Sequence, residues 1–225
     1  ILVTPLVTIF AGVGLSMLIA APIGAAASQV GTLIMWATEQ APLVMGILVS
    51  VIVGVALTLP ISSAAICAAL GLTGLAGGAA VAGCCAQMVG FAVMSYKENG
   101  VGGLVSQGLG TSMLQMGNII KNPRIWIAPT LASAITGPLA TCLFHFEMNG
   151  AAVSSGMGTC GLVGQIGVYT GWVSDIAAGT KAAITPMDWA AMVLLCFVLP
   201  AVLSVVFCAV ERKLGWIKEG DLKLN

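Results

Sequence analysis

Hydroxyl, amide and basic side chains crowd one short stretch, GTSMLQMGNIIKNPRIWIAP, which runs from Gly110 to Pro129. Thr111, Ser112, Gln115, Asn118 and Asn122 offer neutral donors and acceptors there. Such groups can pair with the hydroxyls of a sugar or a similar uncharged solute without burying a charge. The plainer use for the same residues is to satisfy a broken backbone or to cap helices, Asn122 before Pro123 above all. Lys121 and Arg124 flank that Asn-Pro pair. They suit a phosphate of a lipid or partner, or they mark a cytoplasmic interface.

Two further stretches carry candidate chemistry. HFEMNG places His145, Glu147 and Asn149 at the end of an apolar run, and an ionisable group within a membrane segment is a functional candidate by default. The spacing of two does not put His145 and Glu147 on one helix face, though a bend could join them. Glu147 could bind substrate or couple to protons; the alternative is an interfacial pair at a helix end. SSGMGTCGLVGQIG, Ser154 to Gly167, is rich in glycine and hydroxyls but lacks both nucleotide-loop patterns. It reads as the backbone of a re-entrant hairpin, where small residues let helices approach closely and Gln165 faces the site.

Several classes of function are excluded. One histidine leaves no Ser/His/Asp set. The seven cysteines show no CxxC or Cys/His spacing, so they read as small, buried, reduced hydrophobes. No metal or cofactor is expected, and no catalytic residues of the chain's own. The net charge of zero offers no basic surface for nucleic acid.

The elements that must hold these residues lie in a bilayer. Of 225 residues 59% are hydrophobic and 7% charged, with a mean hydropathy of +1.07, whereas soluble domains carry about 25% charged residues. Crossing the bilayer takes roughly 20 apolar residues. Leu6–Ile23 supplies a first span ending at Pro22 and Gly24, followed by a weaker interfacial stretch, Ala26–Gln40. Pro42–Leu59 and Ala76–Tyr96 are clear spans, and Ile61–Leu75 between them is too short for one and reads as a broken or re-entrant piece. Ile125–Phe144 is apolar but interrupted at Pro129 and Gly137-Pro138, Glu147–Thr180 holds no clean span, and Met187–Val210 is the last. Residues 211–225, ERKLGWIKEGDLKLN, form an amphipathic tail. Basic residues after the third and last spans put both of those ends in the cytoplasm. The fold class is therefore all-α, a polytopic transmembrane helical protein with re-entrant hairpins. With Ile1 first and no basic stretch ahead of the apolar residues, no signal peptide is expected, and the chain reads as a piece that continues upstream.

Tyr96–Pro129 resembles a segment of sugar phosphotransferase-system enzyme IIC proteins. In that family a cytoplasmic basic turn leads to a Gly-[IL]-x-Glu-Pro-x-x-x-Gly motif, then an Asn-Pro and an Ile-Pro-Phe helix. Asn122-Pro123 and Ile127-Ala128-Pro129 match the second half, and Gly117 the motif's glycine. TPLVTIFAGVGLSMLIAAPIG at the start is similar to the family's Pro-rich helix, and MDWAAMVLLCFVLPAVLSVVFCAVERKLG to its last helix and basic tail. The chain also resembles the one-component, PfoR-like membrane proteins described as toxin regulators. Thr111 or Ser112 stands where the family has its sugar-holding glutamate, and Ser62 and Ser63 where it has a histidine.

The resemblance implies one membrane domain over 1–225, the substrate-binding half of an enzyme IIC-like transporter whose N-terminal scaffold half is missing. It implies movement of a sugar or similar polar solute by alternating access. The substrate residues would be Ser62, Ser63, Thr111, Ser112, Gln115, Asn118, Asn122 and Glu147. The implied partners are the lipid bilayer, a sugar-like small molecule, cytoplasmic phosphotransferase components and a second copy of the full-length chain. The implied location is a bacterial plasma membrane, with the C-terminus cytoplasmic. The alternative is a non-transporting, enzyme IIC-like membrane sensor or regulator. A channel would need a ring of like residues or a repeated pore motif, and neither is present.

Overall fold

The computed structural model describes residues 3–224, and in the first helix not the side chains of 4–6, 11 and 15–21. The helices are α1 (Val3–Gln40), α2 (Pro42–Thr58), α3 (Ser63–Leu70), α4 (Gly74–Met94), α5 (Tyr96–Val105) and α6 (Met116–Lys121), then α7 (Pro123–Leu143), α8 (Val163–Ala177) and α9 (Pro186–Lys213). α4, α7 and α9 are long and apolar enough to cross a membrane, and α2 is a shorter apolar helix. Among the described residues no strand forms; Gly74 and Met148 exchange two backbone hydrogen bonds of 3.0 Å as an isolated bridge.

α4 is the central post. Its Ala- and Gly-rich sequence leaves almost no side chain to hold neighbours away, and Ala79 to Ala82 are wholly buried. α2 crosses α4 and α7 at backbone contact: a Cβ on Gly83 would strike the Ser50 carbonyl, and one on Gly137 the Gly46 carbonyl. Without a hydrophobic drive between helices in lipid, this close approach of small residues supplies the packing.

Three expected breaks are differently placed. α1 runs through Pro22 and Gly24 to Gln40, joining two segments expected to be separate. In apolar surroundings the chain gains little by exposing its other backbone groups, so one missing N–H does not end the helix. α7 likewise continues through its prolines. Pro129 falls just after a 3-10 start, and Pro138 is followed by a wide π turn, Leu139–Leu143. The Thr141 hydroxyl there donates to the Pro42 carbonyl at 2.7 Å. α8, 15 residues long, lies in the stretch expected to hold no clean span and is too short to be one. Its glycines let other segments come close instead of breaking the helix: a Cβ on Gly171 would strike the Asn149 and Gly150 backbone, and one on Gly167 the Ser154 side chain.

Ile61–Leu75 is broken as its length requires. α3 is eight residues long and ends at Gly71, whose φ of +62° is a left-handed helix cap. α3 packs on the irregular turns of 152–162, so the broken Ile61–Leu75 segment meets Asn149–Gly167, one of the two regions, with Val101–Asn122, expected to hold the second re-entrant hairpin. The Ser63 hydroxyl donates to the Gly156 carbonyl at 2.7 Å, and Ser155 to the Leu72 carbonyl at 2.6 Å.

The tail does not extend from α9 as an amphipathic helix. It turns at Gly215 and folds back, burying Ile217 and Leu222 beside Phe91, Ile125 and Cys208. Five cysteines are buried as expected; Cys142 is exposed and Cys160 half-buried.

Candidate functional site

Polar side chains gather at three levels of the bundle. At the tail end, side-chain amides grip main chain. Asn99 donates to the Leu222 carbonyl and accepts from the Leu224 N–H, both at 2.8 Å. Glu98 accepts from the Leu222 N–H at 2.8 Å and from Arg212 at 2.8 Å. Gln107 donates to Ser95 and accepts from Gln115, and Gln115 donates in turn to the Leu222 carbonyl at 3.0 Å. Asn118 reaches the Lys223 carbonyl, and Asn122 the Trp216 carbonyl and Asp221. Arg124 lies over the Trp216 ring, 5.6 Å from its centre. The broken course of 96–122 thus presents a row of amides, and the tail's peptide groups satisfy them.

Midway along the helices lies an uncharged belt. Gln87, fully buried on α4, accepts from Trp126 Nε1 at 3.0 Å and from the Thr58 hydroxyl at 3.3 Å. Its amide nitrogen donates to Thr130 and Ser133. Thr58 and Ser112 share a hydrogen bond of 2.9 Å, and Ser50 donates to the Ser133 carbonyl at 2.8 Å. Each of these buried groups is satisfied by a neighbour, so the belt carries hydroxyls and amides through the apolar interior without a buried charge.

At the far end a cavity of ≈ 460 Å³ opens between the 144–149 segment, the end of α8 and the start of α9. Trp172, Glu147, Asn149, Asp175, Lys181 and Asp188 are among its lining. Asn149 donates from one nitrogen to Glu147 at 3.0 Å and to Asp175 at 2.9 Å. Lys181 pairs with Asp188 at 2.8 Å and lies over the Trp172 ring, 5.6 Å from its centre. Asp188 also closes the capping box that starts α9 at Thr185.

The residues expected to bind substrate are spread over these levels. Ser62 is exposed and caps α3 through the Ala65 N–H; Ser63 is bound to Gly156. Thr111 caps the 3-10 turn that follows it, and Ser112 belongs to the belt with Thr58. Gln115, Asn118 and Asn122 hold the tail, and Glu147 lines the cavity at the other end. Gln165 contacts Cys85 at 3.2 Å and does not line that cavity. The sequence reading passed over Gln87, although it is the one amide within α4, and an amide in a spanning helix is itself a signal. It also passed over Asp175, Lys181 and Asp188, whose sequence separation hides their meeting at one mouth.

The sequence profile of the family described as phosphotransferase system, EIIC matches residues 1–224. No curated protein and no solved structure matches the chain.

Proposed function

Since the chain belongs to the phosphotransferase system EIIC family, and is therefore a membrane protein of a transport system, we propose that it moves a neutral, sugar-like solute by alternating access. The observation that carries this reading is the belt of Thr58, Gln87, Ser112 and Ser133, which is wholly buried, uncharged and self-satisfied. Hydroxyls and amides of this kind exchange their mutual bonds for those of a hydroxylated solute at little electrostatic cost. α3 and the 152–162 turns border this level as broken elements, and irregular backbone at membrane depth is tolerated where protein or a water-filled cavity surrounds it. They are the parts proposed to move against α2, α4 and α7.

Ser62 and Ser63 would meet the solute from α3, and Thr111 and Ser112 from the 3-10 turn at 112–115. Gln115, Asn118 and Asn122 would do so only in a state from which the tail has withdrawn, since their amides are otherwise spent on it. The chain would act as the membrane component of a sugar phosphotransferase system, with phosphoryl chemistry supplied by cytoplasmic partners. Seven of its eight basic residues (Lys97, Lys121, Arg124, Arg212, Lys213, Lys218 and Lys223) belong to the tail end or the segment it packs on, which supports a cytoplasmic C-terminus.

The test is uptake of labelled hexoses into vesicles carrying the protein and the soluble phosphotransferase components. Thr58→Ala and Ser112→Ala are expected to lower uptake by about tenfold each, as loss of one well-placed hydrogen bond would, and to lower the thermal midpoint by a few degrees, since each leaves a buried partner unsatisfied. Unchanged uptake in both variants would remove the belt from the path.

A further inference from the structure

Most polar groups at the tail end are answered by a partner, and one is not. Pro200, Ser204, Cys208 and Glu211 are the buried residues of the second half of α9, and their spacing of four, four and three makes one stripe along it. Glu211 is 4% exposed, and among the described residues neither of its carboxyl oxygens has a hydrogen-bond partner. Cys208, one turn earlier, packs with Ile217 and Leu222 of the returning tail. The chain turns at Gly215, and the Trp216 N–H donates to the Glu211 main-chain carbonyl at 2.9 Å. Glu211 therefore stands where the bundle meets the turn of the tail.

Burying an ionised carboxylate without a partner costs far more than burying the neutral acid. A cationic side chain, a metal ion or a proton could neutralise it. The cations of the elements packed here are committed or exposed. Arg212 is bound to Glu98, and Arg124 lies over the Trp216 ring. Lys97 and Arg212 line a cavity of ≈ 120 Å³ that Glu211 does not line. Lys121, Lys213, Lys218 and Lys223 are exposed, and α4 carries no charge. A metal ion needs several ligands, and among the described residues no three His, Cys, Asp or Glu side chains gather. A proton needs neither a cavity nor a second ligand. The other carboxylates of this end act in the opposite sense. Glu98 accepts from the Leu222 N–H and Arg212, and Asp221 from Asn122 and the Lys218 N–H, while Glu219 is exposed. Adding protons to Glu98 or Asp221 would loosen the tail.

From this arrangement we infer that Glu211 is a proton-binding site whose occupancy seats the tail. With the proton on, the carboxyl is neutral and the tail folds back over 96–122. When the proton leaves to solvent, the carboxylate draws water and the tail lifts. A proton held more tightly in the seated state than in the lifted one stabilises the seated state at low pH. That stabilisation is lost as pH rises, by up to tenfold per pH unit for one proton. The inference rests on the transport reading only for its consequence, which is that lifting frees the amides of Gln115, Asn118 and Asn122 for solute.

The test is hydrogen–deuterium exchange of the full chain in detergent from pH 6 to pH 8.5, with rates corrected for the intrinsic pH dependence of exchange. Exchange reports local opening segment by segment. The amides of 216–224 are expected to exchange about tenfold or more faster at pH 8.5 than at pH 6, and those of α4 to stay unchanged. Glu211→Gln is expected to abolish the pH dependence. Because the glutamine leaves a buried amide unpaired, Glu211→Leu serves as a second variant, expected to be equally flat and to melt at or above the unsubstituted protein. His145, the chain's one histidine, lines the far-end cavity and does not report on the tail. Flat exchange in the unsubstituted protein would overturn the inference. So would a pH dependence that survives in both variants, which would place the titrating group elsewhere. If sodium, potassium or magnesium chloride restores protection at pH 8.5 and choline chloride does not, Glu211 holds an inorganic cation and the inference also fails. Hexose uptake is read separately: uptake with a tail indifferent to pH sinks only this inference, and a pH-dependent tail without uptake sinks only the transport reading.

Discussion

The tail end and the cavity end of the bundle are both polar, and they differ in who supplies the partners. At the tail end Glu98, Asn99, Gln107, Gln115, Asn118 and Asn122 are answered by one another and by the peptide groups of residues 216–224. Leu222 and Ile217 seal that arrangement against Phe91 and Ile125. At the cavity end Glu147 and Asp175 share one amide and face open space. A polar group that has found a protein partner consolidates the fold; one that has not is held ready for something else. The comparison therefore separates a tail end closed by its own chain from an open far end, although both looked alike as clusters of amides and charges; buried Glu211, whose carboxylate oxygens have no partner among the described residues, is the exception at the tail end.

The largest expected effect tests the structural half of that contrast. Removing residues 214–225 takes two buried aliphatic side chains out of the core and leaves several amides without acceptors. Burial of each aliphatic chain contributes about 1.5–3 kcal/mol and each hydrogen bond about 1 kcal/mol. With about 2–4 °C per kcal/mol in a chain of this size, the thermal midpoint in detergent should fall by about 10 °C or more. Leu222→Ala alone should account for a substantial part, since truncating a buried leucine costs about 2–5 kcal/mol. A truncated protein that melts like the full chain would show that the tail merely rests on the 96–122 segment. A gain of uptake on truncation, with the fold intact, would instead make the tail a plug whose departure frees Gln115, Asn118 and Asn122 for solute.

The reach of the sequence follows the same division. The class, the spans at α4 and α9 and the brokenness of Ile61–Leu75 were legible because they depend on local composition: apolar length for α4 and α9, small residues and Gly71 for α3. Pro22 and Pro138 misled because a proline is read locally as a break, whereas lipid and helix neighbours decide whether the helix goes on. Within 147–180, read as holding no clean span, the glycines that lower intrinsic helix propensity let α8 meet the 149–150 backbone and the Ser154 side chain, a contact no local pattern reveals. The polar stretch at 111–122 was correctly singled out as unusual. Its partners were not legible, because Leu222 lies 107 residues beyond Gln115 and the tail looked like an ordinary amphipathic ending. In the cavity His145, Glu147 and Asn149 were legible as one stretch, whereas the rest of the lining was not, since it comes from 172–175 and 180–191.

The smallest expected effect lies in the two ion pairs, one at each end and both 2.8 Å long. Equal length does not make them equal in energy. Glu98 is 11% exposed and also accepts from the Leu222 N–H, so removing Arg212 leaves a largely buried carboxylate with one donor fewer. Arg212→Met should cost about 1–3 kcal/mol. Lys181 and Asp188 are 27% and 22% exposed, and Asp188 keeps its bonds to Thr185 whether or not the lysine is present. Lys181→Met should cost less than about 1 kcal/mol, because solvent screens the pair and the capping box survives. Added salt should shrink that smaller difference further and leave the larger one nearly unchanged. Thermal melts of both variants at low and high salt measure all four values. If the two substitutions cost the same, the cavity end is as consolidated as the tail end, and the contrast between the two ends loses its footing.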